Sequence, residues 1–174
     1  MKERKVRRHD IYQGDFIDVY IDDVLLDNGI ESKRIVVEHV GASSILPITK
    51  DQEVILVKQY RYAIQDYTLE IPAGKKDFKA EDGLACAIRE MEEETGYASD
   101  HIQKITEIYS AIGFSNEVVE IYVAYEAYPL LESKNGDEDE FIEIVKMPLR
   151  EAIELVKTGI IKDAKTVVSI LSLS

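Results

Sequence analysis

The chain is predicted to fold as a mixed α/β (α+β) sandwich of sheet and helices, fronted by a small antiparallel strand layer. Three observations carry that expectation: strand-like segments fill the first forty residues, a helical pattern interrupts further strands within residues 74–97, and two helical segments close the sequence. In FIDVYIDDVLLDNG, Phe16, Val19 and Ile21 fall in partial alternation and a DNG turn follows; IESKRIVVEHV is the next strand, so this layer is expected to be antiparallel. GASSILPI leads into the main domain, and EVILVKQYRYA reads as a mostly buried strand. After the central helix, residues 105–112 and 118–125 are expected as strands separated by GFSNE, followed by an acidic loop, LESKNGDEDE, and a short strand, FIEIVKM. LREAIELVKTG has an amphipathic helical pattern that Gly159 stops, and DAKTVVSILSL is a last helix with Asp163 as its N-cap. The boundary implied by this order divides the chain into residues 1–42, the strand layer, and residues 43–174, the main domain.

Composition narrows the function classes. With 174 residues and 45% hydrophobic content the chain can bury one good core. The opening MKERKVRRHDIYQGD is basic and then polar, with no signal-like apolar run, and no segment approaches the ~18–20 apolar residues of a membrane span. A soluble cytoplasmic protein is expected. Cys86 is the sole cysteine, which excludes an intramolecular disulfide or a thiolate zinc site, and it is expected as a packed small residue. His9, His39 and His101 have no ligand spacing, which also argues against zinc. A formal net charge of −13 works against nucleic-acid binding, which needs basic surface to neutralise phosphates.

The central helix holds the chemistry. Positions i, i+3 and i+4 are neighbours on a helix surface, so Glu90, Glu93 and Glu94 converge on one side, while Leu84, Ile88 and Met91 form a separate apolar stripe expected to pack inward. Like charges at these spacings repel by roughly 0.2–0.5 kcal/mol per pair in water, and a merely soluble helix would interleave Lys or Arg. Acidic helix faces are often only solvated. Here Arg89 stands directly before the cluster, Gly96 follows where a left-handed cap is wanted, and the approach reads LEIPAG.

These residues resemble the Nudix box, the signature of hydrolases that split a nucleoside diphosphate linked to another group. REMEEETGY, residues 89–97, matches in full and in register, and Glu81 stands the expected distance before Arg89; one extra residue lies between Gly74 and Glu81, so a bulge is expected in that loop. The strand layer, GASSILPI, VKQYRYA, LEIPAGK, GFSNE, DEDEFIEI and GIIKDAKTV extend the resemblance, over nearly the whole chain, to the ADP-ribose pyrophosphatase branch; Ile112 replaces the proline that this branch often has before the glycine of SAIGFSNE. The resemblance implies a Nudix-type α/β/α sandwich and Mg²⁺-dependent hydrolysis of ADP-ribose or a related nucleoside diphosphate sugar to a nucleoside monophosphate and a sugar phosphate. It also implies a homodimer in which the N-terminal layer is exchanged and each active site borrows residues from its partner. The alternatives are GDP-mannose or another nucleotide sugar as substrate, and a non-catalytic nucleotide sensor. The intact carboxylates favour the enzyme.

A negatively charged chain acting on an anionic nucleotide needs divalent cations, and oxygen-only ligands suit Mg²⁺, with Mn²⁺ as a substitute. By resemblance Glu90 and Glu94 are direct metal ligands, Glu93 is a further ligand or supports one, and the carbonyl oxygen of Ala73 completes a site. Arg89 is expected to act mainly as a salt bridge that positions the carboxylates. In DEDEF, residues 137–141, Glu138 is assigned as general base, with Glu93 as the fallback, and Glu140 as an additional metal ligand; alternation also allows one of the two loop residues simply to face water. Arg61 in QYRYA is expected to grip phosphates or the terminal ribose through its fork of donors. Tyr60 and Tyr62 flank it, so one is expected in the core and the other near substrate. Glu70 and Glu117 are candidates for ribose hydroxyls.

Overall fold

The computed structural model describes residues 2–131 and 142–174. In chain order the strands and helices are β1 Arg4–Gln13, β2 Ile17–Leu25, β3 Glu31–His39, β4 Ala42–Pro47, β5 Glu53–Arg61, β6 Asp66–Glu70, β7 Ala73–Lys75, α1 Gly83–Thr95, β8 Tyr97–Ala98, β9 His101–Tyr109, β10 Val118–Tyr125, β11 Tyr128–Pro129, β12 Glu143–Pro148, α2 Leu149–Lys157 and α3 Ala164–Leu171. β1, β2 and β3 form an antiparallel sheet in that order; β2 and β3 are the two strands that the alternation and the DNG turn predict, and β1 adds a third over the basic opening segment. This sheet touches the main domain where the Val37 amide donates to the Phe114 carbonyl at 2.7 Å.

Two larger sheets build the main domain, beside a small antiparallel pair of β8 and β11. One has the order β7-β4-β10-β9, with β4 and β10 parallel and the outer pairs antiparallel; the other is antiparallel, β12-β5-β6. Because side chains alternate along a strand, β4 and β10 feed two cores. Leu46 and Val123 join Val54 and Leu56 of β5, Ile71, Ala152 of α2 and Ile170 of α3 on one side. Ile45, Tyr122 and Ala124 pack against Ala87 and Met91 of α1 on the other. Helices therefore cover both sides of the sheet pair, which is the expected helix/sheet/helix sandwich.

The helix ends follow the sequence signals. Asp82 caps α1 by accepting from the Ala85 amide, and Gly96 closes it at φ +68°, where its N–H reaches the Glu92 carbonyl. Asp163 caps α3 by accepting from the Thr166 amide. Two expectations need correction. The inward stripe of α1 is Cys86, Ala87 and Met91, with Ile88 half-buried, whereas Leu84 is 37% exposed, because in the first turn it is the neighbouring Gly83 that packs inward, against Glu120 of β10. The strand expected at residues 105–112 is β9, which begins at His101 and ends at Tyr109, since its pairing to β10 runs from His101 opposite Tyr125 to Tyr109 opposite Val118.

Candidate active site

A cleft of about 650 Å³ lies along α1, lined by Ala73, Gly74, Lys75, Asp77, Arg89, Glu90, Glu93 and Glu94, with Arg61, Phe16 and Ile142 at its margins. The acidic face of α1 opens onto the turn formed by β7. That turn comes very close. A methyl group at Gly74 would sit 1.9 Å from a carboxylate oxygen of Glu90, so only glycine leaves room for the carboxylate there. The Ala73 amide donates to Glu94 Oε2 at 3.1 Å and fixes that carboxylate against β7.

Arg89 organises this acidic wall. Its Nη1 donates to Glu90 Oε1 at 2.7 Å and to Glu93 Oε2 at 3.3 Å, while Nη2 lies 3.8 Å from Glu81 and 4.0 Å from Asp77. Partial burial alone would lower its pKa, and the surrounding negative charge, Glu90 foremost, raises it above the usual guanidinium value. Arg89 is thus salt-bridged to two of the cleft glutamates. Among the described residues no three acidic, Cys or His side chains are already gathered into a finished ligand set; the carboxylates line a wall. Their chemistry still suits a hard divalent cation, because Glu90, Glu93 and Glu94 offer carboxylate oxygens along one side of the cleft. Cys86 is buried beneath β7, its thiol pushed up to about 11 chiefly by that burial, so it behaves as packing and not as a nucleophile.

The opposite wall is cationic. Arg61 ends β5 and donates from Nε and Nη2 to the two oxygens of Glu70, each at 2.7 Å. Glu70 had been expected near ribose hydroxyls, but it is 3% exposed and does not line the cleft, because it closes β6 beneath Arg61 and its oxygens are taken by Arg61, Thr68 and Lys165. Burial alone would raise its pKa, yet the hydrogen bonds from Arg61 and the charge of Lys165 hold it down at about 2. The expectation that Tyr60 or Tyr62 enters the core also needs correction. Tyr60 is 46% exposed and packs edge-on against Tyr67, and Tyr62 is 82% exposed in the β5–β6 turn. The buried part of β5 ends at Val57, and the strand runs on past the core edge.

Glu117 lies in a smaller adjoining cavity of about 250 Å³ that shares Ala73, Gly74 and Lys75 with the main cleft. There it accepts from Ser110 Oγ at 2.5 Å and stands 3.6 Å from His39 Nδ1. Glu138 and Glu140 lie outside the described residues. Sequence reasoning missed Phe16, Lys75 and Lys165. Phe16 and Lys75 approach each other at the cleft margin, the ammonium 5.3 Å from the ring. Lys165 belongs to GIIKDAKTV, where the N-cap pattern was the visible signal and the charge beside it went unread.

A glycine-tight turn facing a Glu-Glu-Glu helix wall, closed by Gly96, is the geometry that the box residues specify, and a family model described as the NUDIX domain matches residues 38–168. The chain belongs to the Nudix family. It is 41% identical over 170 residues to an ADP-ribose pyrophosphatase of Bacillus subtilis (strain 168), a match covering 98% of this chain and 91% of that protein. It is 36% identical to a methanol dehydrogenase activator of Bacillus methanolicus, over 97% of this chain and 91% of the other. A GDP-mannose pyrophosphatase of Escherichia coli (strain K12) is 34% identical over 73% of this chain and 69% of its own length. In fold, the Nudix chain superposes on a crystal structure of an ADP compounds hydrolase with a TM-score of 0.84 at 24% identity, covering 99% of this chain and 92% of that one.

Proposed function

We propose that this Nudix protein is a hydrolase of nucleoside diphosphate sugars, with ADP-ribose as the leading substrate, yielding a nucleoside monophosphate and a sugar phosphate. The observation that carries the reading is the pairing, across one cleft, of the acidic wall of α1 with the guanidinium of Arg61. The 41% identity to an ADP-ribose pyrophosphatase over almost the full length supports the choice of substrate.

Nudix hydrolases use divalent metal ions, and Mg²⁺, or Mn²⁺ in its place, is the proposed cofactor. Glu90, Glu93, Glu94 and the carbonyl oxygen of Ala73 would hold it, with Glu140 as a further ligand. The chemistry a divalent cation supplies there when bound is Lewis acidity, which lowers the pKa of water and neutralises bridging phosphate. Arg89 holds Glu90 and Glu93 on the cleft side of α1, and Arg61 takes phosphate oxygens from the opposite wall. Nε and Nη2 of Arg61 are engaged by Glu70, which leaves Nη1 as the donor edge for the substrate. Glu138 takes the proton from the attacking water. Glu117, in the adjoining cavity, accepts from sugar hydroxyls, and the exposed rings of Tyr60 and Tyr62 lie beyond the Arg61 margin, where a bound nucleoside would extend.

The protein is further proposed to work in the cytoplasm as a homodimer. Val6, Ile11, Tyr12 and Ile35 leave the N-terminal layer with exposed apolar side chains that a second copy would cover. Among the described residues no helix is long and apolar enough to cross a membrane. The test of the activity is product analysis with ADP-ribose, GDP-mannose and other nucleotide sugars, with and without Mg²⁺. Metal-dependent release of AMP from ADP-ribose is expected. A preference for GDP-mannose moves the substrate within the class, and failure on every nucleotide sugar overturns the reading.

A further inference from the structure

Arg61 is the last residue of β5, beyond the part of the strand that the core holds, and beside the exposed turn at residues 62–65. The Arg61 side chain is 43% exposed there. What fixes it is Glu70, bound through both oxygens and itself held from two further directions. Thr68 Oγ1 donates to Glu70 Oε1 at 2.5 Å, and Lys165 Nζ donates to Oε2 at 2.5 Å. Lys165 is the second residue of α3, and its Nζ also lies 3.0 Å from Oδ2 of the capping Asp163. The Asp163 carboxylate in turn accepts from Thr166 Oγ1 at 2.6 Å, and the same hydroxyl accepts from the Ile71 amide at 2.8 Å. The start of α3 is thereby locked to the segment between β6 and β7. Lys165 is the link in this chain that carries the rigidity of α3 to the Arg61–Glu70 pair.

We propose that Lys165 is a positioning residue for substrate binding: it pins Glu70 to α3, so that Glu70 holds the Arg61 guanidinium facing the diphosphate of the substrate. The inference rests on the reading of the cleft as a diphosphate site. Lys165 also lines the smaller adjoining cavity, so a direct contact with substrate is the competing role. The two roles differ in how Lys165 and Arg61 combine. A residue acting through Arg61 has nothing left to contribute once Arg61 is gone, whereas an independent contact adds its own loss.

The experiment is a double-mutant cycle of Lys165→Met and Arg61→Met on the full chain, with KM and kcat measured for ADP-ribose at saturating Mg²⁺ and thermal melting recorded for each variant. Lys165→Met alone is expected to raise KM about tenfold with kcat within about threefold. In the Arg61→Met background it is expected to change KM by less than about twofold. Lys165→Arg, which keeps a cationic donor to Glu70, should recover most of the affinity. Should Lys165→Met fail to fold, Lys165→Gln takes its place in the cycle. Multiplying KM effects, an unchanged KM in the single variant, or a loss confined to kcat overturns the proposal while leaving the hydrolase intact. A wild-type chain that turns over no nucleotide sugar overturns the proposed function, and this inference with it.

Discussion

The two walls of the cleft use the same residue type for opposite ends. On α1, Glu90 and Glu93 share the Arg89 guanidinium, Glu94 accepts from the Ala73 amide, and all three line the cleft partly open to solvent. Behind the far wall, beneath Arg61 and outside the cleft, one glutamate is almost fully buried and receives hydrogen bonds from Arg61, Lys165 and Thr68. A carboxylate that lines the cleft is placed where a cation could reach it. A buried carboxylate surrounded by donors is part of the fold. Burial and partners, not residue identity, separate the acid that works from the acid that holds.

That contrast is broken most sharply at Glu94. Glu94→Gln is expected to lower turnover about 10³-fold, about 4 kcal/mol of transition-state stabilisation, with the melting temperature almost unchanged. Steady-state rates at saturating Mg²⁺ beside a thermal melt check both halves. Activity within tenfold of wild type would remove Glu94 from the ligand set.

The reverse pattern is expected at Glu70. Its pKa is about 2 in the fold against 4.5 for an ordinary glutamate, burial being outweighed by the Arg61 hydrogen bond and the Lys165 charge. A depressed pKa means that the unfolded chain binds the proton more readily, so the stabilisation is fully present above about pH 4.5 and drains away as pH falls toward 2. Each pKa unit corresponds to about 1.4 kcal/mol, which places the contribution at about 3 kcal/mol near neutrality. Glu70→Gln should lose about that much in denaturant melts at pH 7, and the gap to wild type should close as the pH falls through this window. Glu120, whose burial is outweighed by Lys104 and Lys76, and Asp23, bonded by Lys33 and His9, are each held at about 2 as well. The difference between the two proteins, and not the wild-type acid transition alone, isolates Glu70. A gap that stays constant down to pH 2 would mean that Glu70 contributes through packing.

The acidic wall was legible in the sequence, as was Arg61 opposite it, but the anchorage of Arg61 by Glu70 and Lys165 was not, for a physical reason. Glu90, Glu93 and Glu94 are local, since helical periodicity alone places them together, and Gly96 and Asp163 announce helix ends by equally local rules. Arg61, Glu70 and Lys165 meet only because β5, β6 and α3 are brought together by the tertiary fold; Lys165 and Glu70 are separated by 95 residues. The fates of Tyr60 and Tyr62 were misjudged for a related reason. Strand alternation says which side a residue faces, but not where along the strand the core stops.

Glu138 and Glu140 sharpen the comparison from the sequence side, because the acidic loop should contain two working acids with different tasks, a base and a metal ligand, within three residues. Glu138→Gln is expected to lose about 10²-fold in turnover at saturating Mg²⁺ with KM kept, as a general base would. Glu140→Gln is expected to be partly restored by raising the metal concentration. Swapped phenotypes would place the register of the loop two residues off, and two near-wild-type variants would direct attention to Glu93 as the base.

The smallest expected effect tests whether the acidic wall depends on where its carboxylates point. A methyl group added at Gly74 would meet Glu90 Oε1 at 1.9 Å and its carboxyl carbon at 2.1 Å, so the Glu90 side chain must turn away. What it displaces is the far end of a flexible side chain and not backbone, so the fold can absorb the change at little cost. Arg89 has Glu81 and Glu93 nearby to take up the donor that Glu90 releases. Gly74→Ala is therefore expected to fold with a melting temperature close to wild type, yet to lose about tenfold in kcat/KM, about 1.4 kcal/mol, with an increased Mg²⁺ requirement. A magnesium titration of the rate, run beside the melt, separates the outcomes. Activity equal to wild type at all Mg²⁺ concentrations would show that Glu90 serves from more than one position, and a large drop in melting temperature would place Gly74 among the residues that hold the fold.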